Sequence, residues 1–238
     1  MIKALNIIKT DLKNILRDPS LVLLLFVPFL ITALLRWGYP FFLEAVPEAA
    51  AYNMLLLAML SMTCSAMPGM AVAFAILDEK DNGLLPALMI LPVSFRKIVI
   101  NRLLTIYIYG AASAFVAIVF SGLSEGTLLH NLLLSMLAAS PAAALGLIPA
   151  FFAANKIEGA TLAKILNFLL VFPLPAFLLT GWWTKILAVF PAWWVYRAFT
   201  GIAETPVFLV ALAGGLAYHA LVTIIITRKI FTRILYRG

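Results

Sequence analysis

The sequence is poor in charge and almost without cysteine. Of 238 residues, 11% are Asp, Glu, Lys or Arg and 64% are apolar, and the mean hydropathy is +1.08. A soluble domain is nearer a quarter charged and half apolar, so little sequence is left over for a soluble domain of any size. The single cysteine, Cys64, lies inside an apolar run, which excludes a disulfide framework and a cysteine metal site. A GxxxxGK[ST] loop is missing, so nucleotide is not held by that device, and neither an HExxH helix nor a GxSxG elbow is present. No pair of carboxylates falls inside an apolar run. The ionisable groups that a proton- or sodium-coupled carrier needs at membrane depth reduce to His219. A lone histidine there is either a packed, hydrogen-bonded residue or a proton relay. Residues 1–18 carry charge throughout and lack a small-residue cleavage site, unlike a cleaved signal. The formal net charge of +7 would point to nucleic acid if the basic residues formed a soluble patch. They sit instead at the ends of apolar runs, so no nucleic-acid partner is expected.

What is present is a series of apolar runs, each near the ~20 residues that a helix needs to cross a bilayer. The chain reads as an all-α integral membrane protein, one transmembrane domain over residues 1–238 with six spans. The spans are expected near 21–42 (interrupted at Pro28), 52–77, 98–121, 131–154 (with Pro141 and Pro149 inside), 165–179 (interrupted at Pro173 and Pro175) and 206–227. Residues 155–164, with Lys156, Glu158 and Lys164, read as a loop. The apolar stretch 165–199 is too long for one crossing. Residues 180–200, with Gly181, Trp182, Trp183, Pro191, Trp193, Trp194 and Tyr196, are therefore read as a broken, non-spanning hairpin at an interface. Residues 1–18 are amphipathic. Leu5, Ile8, Leu12, Ile15 and Leu16 share one helical face and Lys3, Lys9, Lys13 and Arg17 the other, the pattern of a helix lying in the membrane plane. Arg17-Asp18-Pro19 then turns the chain into the membrane.

Charge counting sets the expected topology. Fourteen of the 17 Lys and Arg residues fall in the N-terminal segment, in 78–102, in 155–164 and in the C-terminal tail. The others are Arg36, Lys185 and Arg197. The positive-inside rule then places both termini and the 78–97 loop in the cytoplasm, and the hairpin outside. That loop holds more than a loop needs. After Asp78, Glu79, Lys80 and Asp81 comes a short apolar segment, 84–91, bracketed by Gly83 and Pro92, with Ser94 placed to cap the next helix. An apolar knob beside a membrane either docks into a partner or lies among the headgroups. In the second run, Ser61, Thr63, Ser65 and Met67 precede Pro68-Gly69. Small and polar residues there either let helices approach closely or line a wet pathway.

This order of elements resembles the transmembrane subunit of ABC exporters of the second type, whose permeases are separate polypeptides. Asp78-Glu79-Lys80, Gly83, Leu85, Leu88, Pro92 and Ser94 carry the resemblance most specifically, while Pro86 inside the knob departs from it by bending or shortening the helix. The resemblance implies a permease subunit that pairs with a like or unlike second permease and docks on a cytoplasmic ATPase. ATP and Mg would sit on that ATPase, and this chain would hold no cofactor and catalyse no reaction. It also implies that 84–91 is a coupling helix. Asp78, Glu79, Gly83, Leu84, Leu85, Leu88 and Pro92 would dock the ATPase, joined by Lys9, Lys13 and Arg17 from the interface helix. Candidates for the pathway between the subunits are Ser61, Thr63, Ser65, Met67, Asn167, Phe177, Trp182 and Trp183. An apolar, aromatic-rich interior suits export of a hydrophobic or amphipathic compound such as a drug, lipid or small peptide across the plasma or inner membrane. Aromatic rings also stack on sugars, which keeps a glycan exporter open. The rivals from other classes are a gradient-driven carrier or channel that depends on His219, and a membrane-embedded enzyme or scaffold.

Overall fold

The computed structural model describes residues 16–83, 95–179 and 181–235. The interface helix with Lys9 and Lys13, and the coupling segment with Leu84, Leu85, Leu88 and Pro92, lie outside the described residues. Every described element is helical, and six are long and apolar enough to cross a membrane. The protein is an all-α, multi-pass membrane protein.

Span one runs Pro19–Ala33, continues through a π-helical turn at Leu34–Gly38 and ends with Tyr39–Ala45. Asp18 starts it, accepting the Ser20 N–H at 2.8 Å while Pro19 occupies the first turn, where its missing donor costs nothing. The expected interruption at Pro28 does not occur. Pro28 is buried, and the helix runs on through it: the missing N–H costs only the bond to the Leu24 carbonyl, while the Pro28 carbonyl still accepts, taking the Thr32 hydroxyl at 2.7 Å. The π turn lies just before Pro40, where a helix must accommodate a residue with no N–H.

Span two is Asn53–Asp81, entered through a short 3-10 turn, Pro47–Tyr52. It extends a full turn past the expected end at 77, so Asp78, Glu79, Lys80 and Asp81 are helical rather than loop. Span three is Phe95–Ser121. Span four is Leu128–Phe152, begun by a capping box between Thr127 and His130 and unbroken by Pro141 or Pro149. Span five corrects the sequence reading most. Residues 155–164 are not a loop. Asn155 accepts the Glu158 N–H at 2.9 Å, and a helix follows at once over Lys156–Val171. The three charged residues suggested a loop, yet they occupy the first turns of a span whose packed face is Gly159 and Ala163, both buried. A short turn, Pro175–Leu178, follows the break at Pro173. The hairpin is a 3-10 segment, Trp182–Val189, and a helix, Pro191–Thr200. Span six is Thr205–Leu235, carried well into the basic tail.

Spans two and four form the centre. In their most apolar windows 67% and 72% of residues are buried, against 17–33% in the other four. Span three completes a tight trio with them. A Cβ at Gly110 would stand 2.9 Å from the Ser65 carbonyl, and one at Gly146 would stand 3.1 Å from the Gly69 carbonyl. Backbone approaches backbone at both places, which only glycine permits. Gly110→Val should therefore wedge spans two and three apart and cost about 2 kcal/mol. Its melting midpoint in detergent should fall by several degrees, while Ala112→Val, on the exposed face of the same helix, should melt like the native chain.

Candidate functional site

The charged end of span two is tied to three other spans. Asp78 pairs with Lys156 Nζ at 2.9 Å, and Lys156 also lies 3.6 Å from Asp18 at the start of span one. Asp81 accepts the backbone N–H of Lys156 at 3.2 Å. Lys80 donates to the Ala153 carbonyl beyond the end of span four. Arg102 of span three donates to both carboxylate oxygens of Glu79, at 2.8 Å each. The two side chains are 5% and 15% exposed, making this the buried member of the network. The Asn82 amide donates to the Asp78 carbonyl at 2.8 Å, and Gly83, at φ 68, takes the left-handed conformation that lets the chain leave the helix. The Ser20 hydroxyl and then its amide hold the Asp18 carboxyl below its ordinary value of 3.8, so Asp18 is ionised at neutral pH beside Lys156.

Of the expected docking residues, Asp78, Glu79, Gly83 and Arg17 are described. Asp78 and Glu79 have their charges engaged inside the chain, and Arg17 is exposed in the turn before Asp18. Lys156 and Arg102, the partners that complete the network, were read only as loop cations. The sequence signal was opposite charge at span ends, but nothing local says which ends meet.

The expected pathway residues divide by face. Ser61 and Ser65 lie on the buried side of span two. Ser61 donates to the Ala58 carbonyl at 2.9 Å, and Ser65 to the Met62 carbonyl at 2.8 Å and the Ala138 carbonyl of span four at 2.9 Å. Thr63, Met67 and Met70 recur on a half-buried face, where the Asn167 amide of span five reaches Met70 Sδ at 3.6 Å. Phe177 belongs to a separate cluster at the hairpin end, with ring centroids 6.0 Å from Trp193 and 5.7 Å from Tyr196. Trp182 is exposed there, and the Trp183 side chain lies outside the described residues.

His219 is pinned on both sides. Its Nε2 donates to the Pro191 carbonyl at 3.0 Å, since a carbonyl can only accept, and its Nδ1 meets the Ser140 hydroxyl. Ser140 also lies 2.6 Å from the Leu137 carbonyl, which has no helical partner because residue 141 is proline. The histidine joins spans four and six to the hairpin, between apolar cavities of about 150 and 430 Å³.

The two kinds of ion pair should differ in weight. Arg102→Met leaves Glu79 charged in a largely enclosed place, a loss of about 3 kcal/mol. Lys156→Met removes a pair whose side chains are 38% and 35% exposed, a loss of no more than about 1 kcal/mol. Thermal melting in detergent should rank them in that order, and Glu79→Gln with Arg102→Met should recover part of the larger loss. Equal losses would show that the buried pair is not the stronger tie.

Comparison with known proteins agrees with this architecture. Two relatives from Mycobacterium tuberculosis are each 26% identical to the chain over 235 residues, covering 93% of this chain and 91% of the relative. They are fluoroquinolones export permease protein MT2760 of strain CDC 1551 / Oshkosh and fluoroquinolones export permease protein Rv2686c of strain ATCC 25618 / H37Rv. The model of the family described as fluoroquinolones export permease protein Rv2686c-like matches residues 11–227. That match spans most of the chain, five crossings in full and most of the sixth, and the chain belongs to this family of export permeases.

Proposed function

We propose that this chain is the membrane-embedded subunit of an ATP-driven exporter for amphipathic, drug-like compounds. It sits in the plasma or inner membrane with both termini in the cytoplasm and pairs with a second permease. ATP and Mg are held by a separate cytoplasmic ATPase of the ABC class. Family membership supports the export role. The observation that carries the energy-coupling part is the bracing of the two helix ends that flank the segment 84–94. Its N-terminal flank is fastened to spans three, four and five through Asp78, Glu79, Lys80 and Asp81, and Lys156 of span five carries the link on to Asp18 at the start of span one. Its C-terminal flank runs directly into span three, whose Arg102 returns to Glu79. A push delivered to such a segment reaches most of the bundle, which is what a docking element driven by a partner requires.

In this reading Leu84, Leu85 and Leu88, bounded by Gly83 and Pro92, make the apolar contact with the ATPase. Lys9, Lys13 and Arg17 supply flanking charge. Asp78 and Glu79 act as braces behind the contact. The face of span two with Thr63 and Met67, next to Asn167, lines the route of the cargo, and Ser61 and Ser65 hold the helices together. Because the relatives are named for fluoroquinolones, aromatic drugs of that class are the first cargo to test.

The chain should co-purify with its ATPase in mild detergent, and Leu85→Asp with Leu88→Asp should abolish the association while leaving the melting midpoint unchanged. Cells expressing both subunits should accumulate less norfloxacin, and the double variant should lose that effect. A folded variant that still holds the ATPase removes the docking role from 84–91. Efflux that persists without any ATPase would establish the gradient-driven carrier instead, and its loss in a His219→Ala chain that still melts like the native one would assign His219 to the coupling.

A further inference from the structure

Lys185 and Arg197 belong neither to the charged network at the end of span two nor to the docking and pathway residues. Both line an open pocket of about 520 Å³ between the Pro175–Leu178 turn and the two arms of the hairpin. That volume lies in the range of drug-sized sites. Phe177 and Trp193 form aromatic walls, with Thr184 and Ala188 completing the lining. The walls are held from behind. The Trp194 indole N–H donates to the Ala188 carbonyl at 3.1 Å, and the Tyr196 hydroxyl to the Leu170 carbonyl at 3.0 Å. Gly181, at φ 144, takes a backbone conformation open to glycine where the 3-10 arm begins. Neither Lys185 nor Arg197 makes an ion pair or a side-chain hydrogen bond among the described residues. Both are exposed and within reach of a solute. Two unpaired cations in an aromatic-walled pocket at a membrane end call for an anion.

We infer that this pocket binds an amphipathic anion, an apolar body seated against Phe177 and Trp193 with its carboxylate or phosphate held by Lys185 and Arg197. Two sources share this chemistry: a soluble aromatic acid and the headgroup of an anionic lipid. As a station for departing cargo the site rests on the exporter reading, whereas as a binding site it stands on the pocket alone.

The full chain, reconstituted in phosphatidylcholine nanodiscs without any ATPase, is titrated with pyrenebutyrate and, separately, with pyrenebutanol. Binding is read as energy transfer from tryptophan, a local probe because Trp182, Trp183, Trp193 and Trp194 are four of the five tryptophans. Pyrenebutyrate should bind about tenfold more weakly to Lys185→Gln with Arg197→Gln, the loss of two charge-assisted contacts. Pyrenebutanol should bind both proteins alike, and the charge-retaining Lys185→Arg with Arg197→Lys should bind the acid as the native chain does. Replacing part of the phosphatidylcholine with phosphatidylglycerol separates the sources. If the anionic lipid erases the tenfold difference, the lipid headgroup is the occupant. If the difference persists, it is the soluble acid. Equal binding of the acid to native and glutamine variants overturns the inference. So does native binding of the alcohol as tight as that of the acid, a comparison that needs no variant to fold. Because no ATPase is present, failure here is separate from failure of the docking reading.

Discussion

Backbone packed against backbone at Gly69, Gly110 and Gly146 is the contact on which the rest of the molecule depends. Lipid tails are as apolar as leucine, so burying apolar surface gives helices in a bilayer little reason to associate. Close dispersion contact and hydrogen bonding across the interface remain. Spans two, three and four use both, through the glycines and through the Ser65 hydroxyl reaching Ala138. Spans one, five and six and the hairpin lean on this trio and keep broad apolar faces outward. That accounts for the many large hydrophobic side chains left uncovered, as a protein whose solvent is lipid requires.

The prolines show how the same solvent disciplines polar groups. Each proline inside a span removes a backbone donor and leaves a carbonyl behind, where water cannot serve it. At Pro141 the orphan is Leu137, and Ser140 lies within reach of it. The hydroxyl in turn meets His219, and His219 meets Pro191. A local defect in span four has become a polar link between two spans and the hairpin. A buried histidine in such a chain has a structural reason to exist without any gradient to couple.

The sequence disclosed the number of crossings because each is a long apolar run, and it placed spans two, three and four to within about one turn at either end, whereas span six runs about two turns past its expected end at 227. It failed where charge and helix coincide. Lys156, Glu158 and Lys164 looked like a loop, and Asp78–Asp81 looked like the start of one, because a hydropathy reading cannot know that a neighbouring span will pair those charges. The partner of Glu79 is 23 positions away and that of Asp78 is 78 away, so only folding reveals the choice. Pro28 misled in the opposite direction, since a proline that breaks an isolated helix is tolerated once its neighbours are packed. For the candidate site, the unusual character of residues 78–83 was visible from composition, while the pocket between Lys185 and Arg197 was not. Its walls come from three separate elements, the turn and the helix meeting through the ring contacts of Phe177 with Trp193 and Tyr196.

Span five has a regular stretch of 16 residues, about 24 Å of helix. One extremity carries Lys156, clasped by Asp78 and Asp18, and the other carries Leu170, whose carbonyl holds the Tyr196 hydroxyl. A helix is stiff along its axis, so it behaves as a connecting rod with a joint at each extremity. The two extremities are therefore held at a fixed separation, and the Leu170 end meets the helix that also bears Trp193 and Arg197. The break at Pro173 lies just beyond the Leu170 contact, so the rigid stretch meets the hairpin before the helix ends.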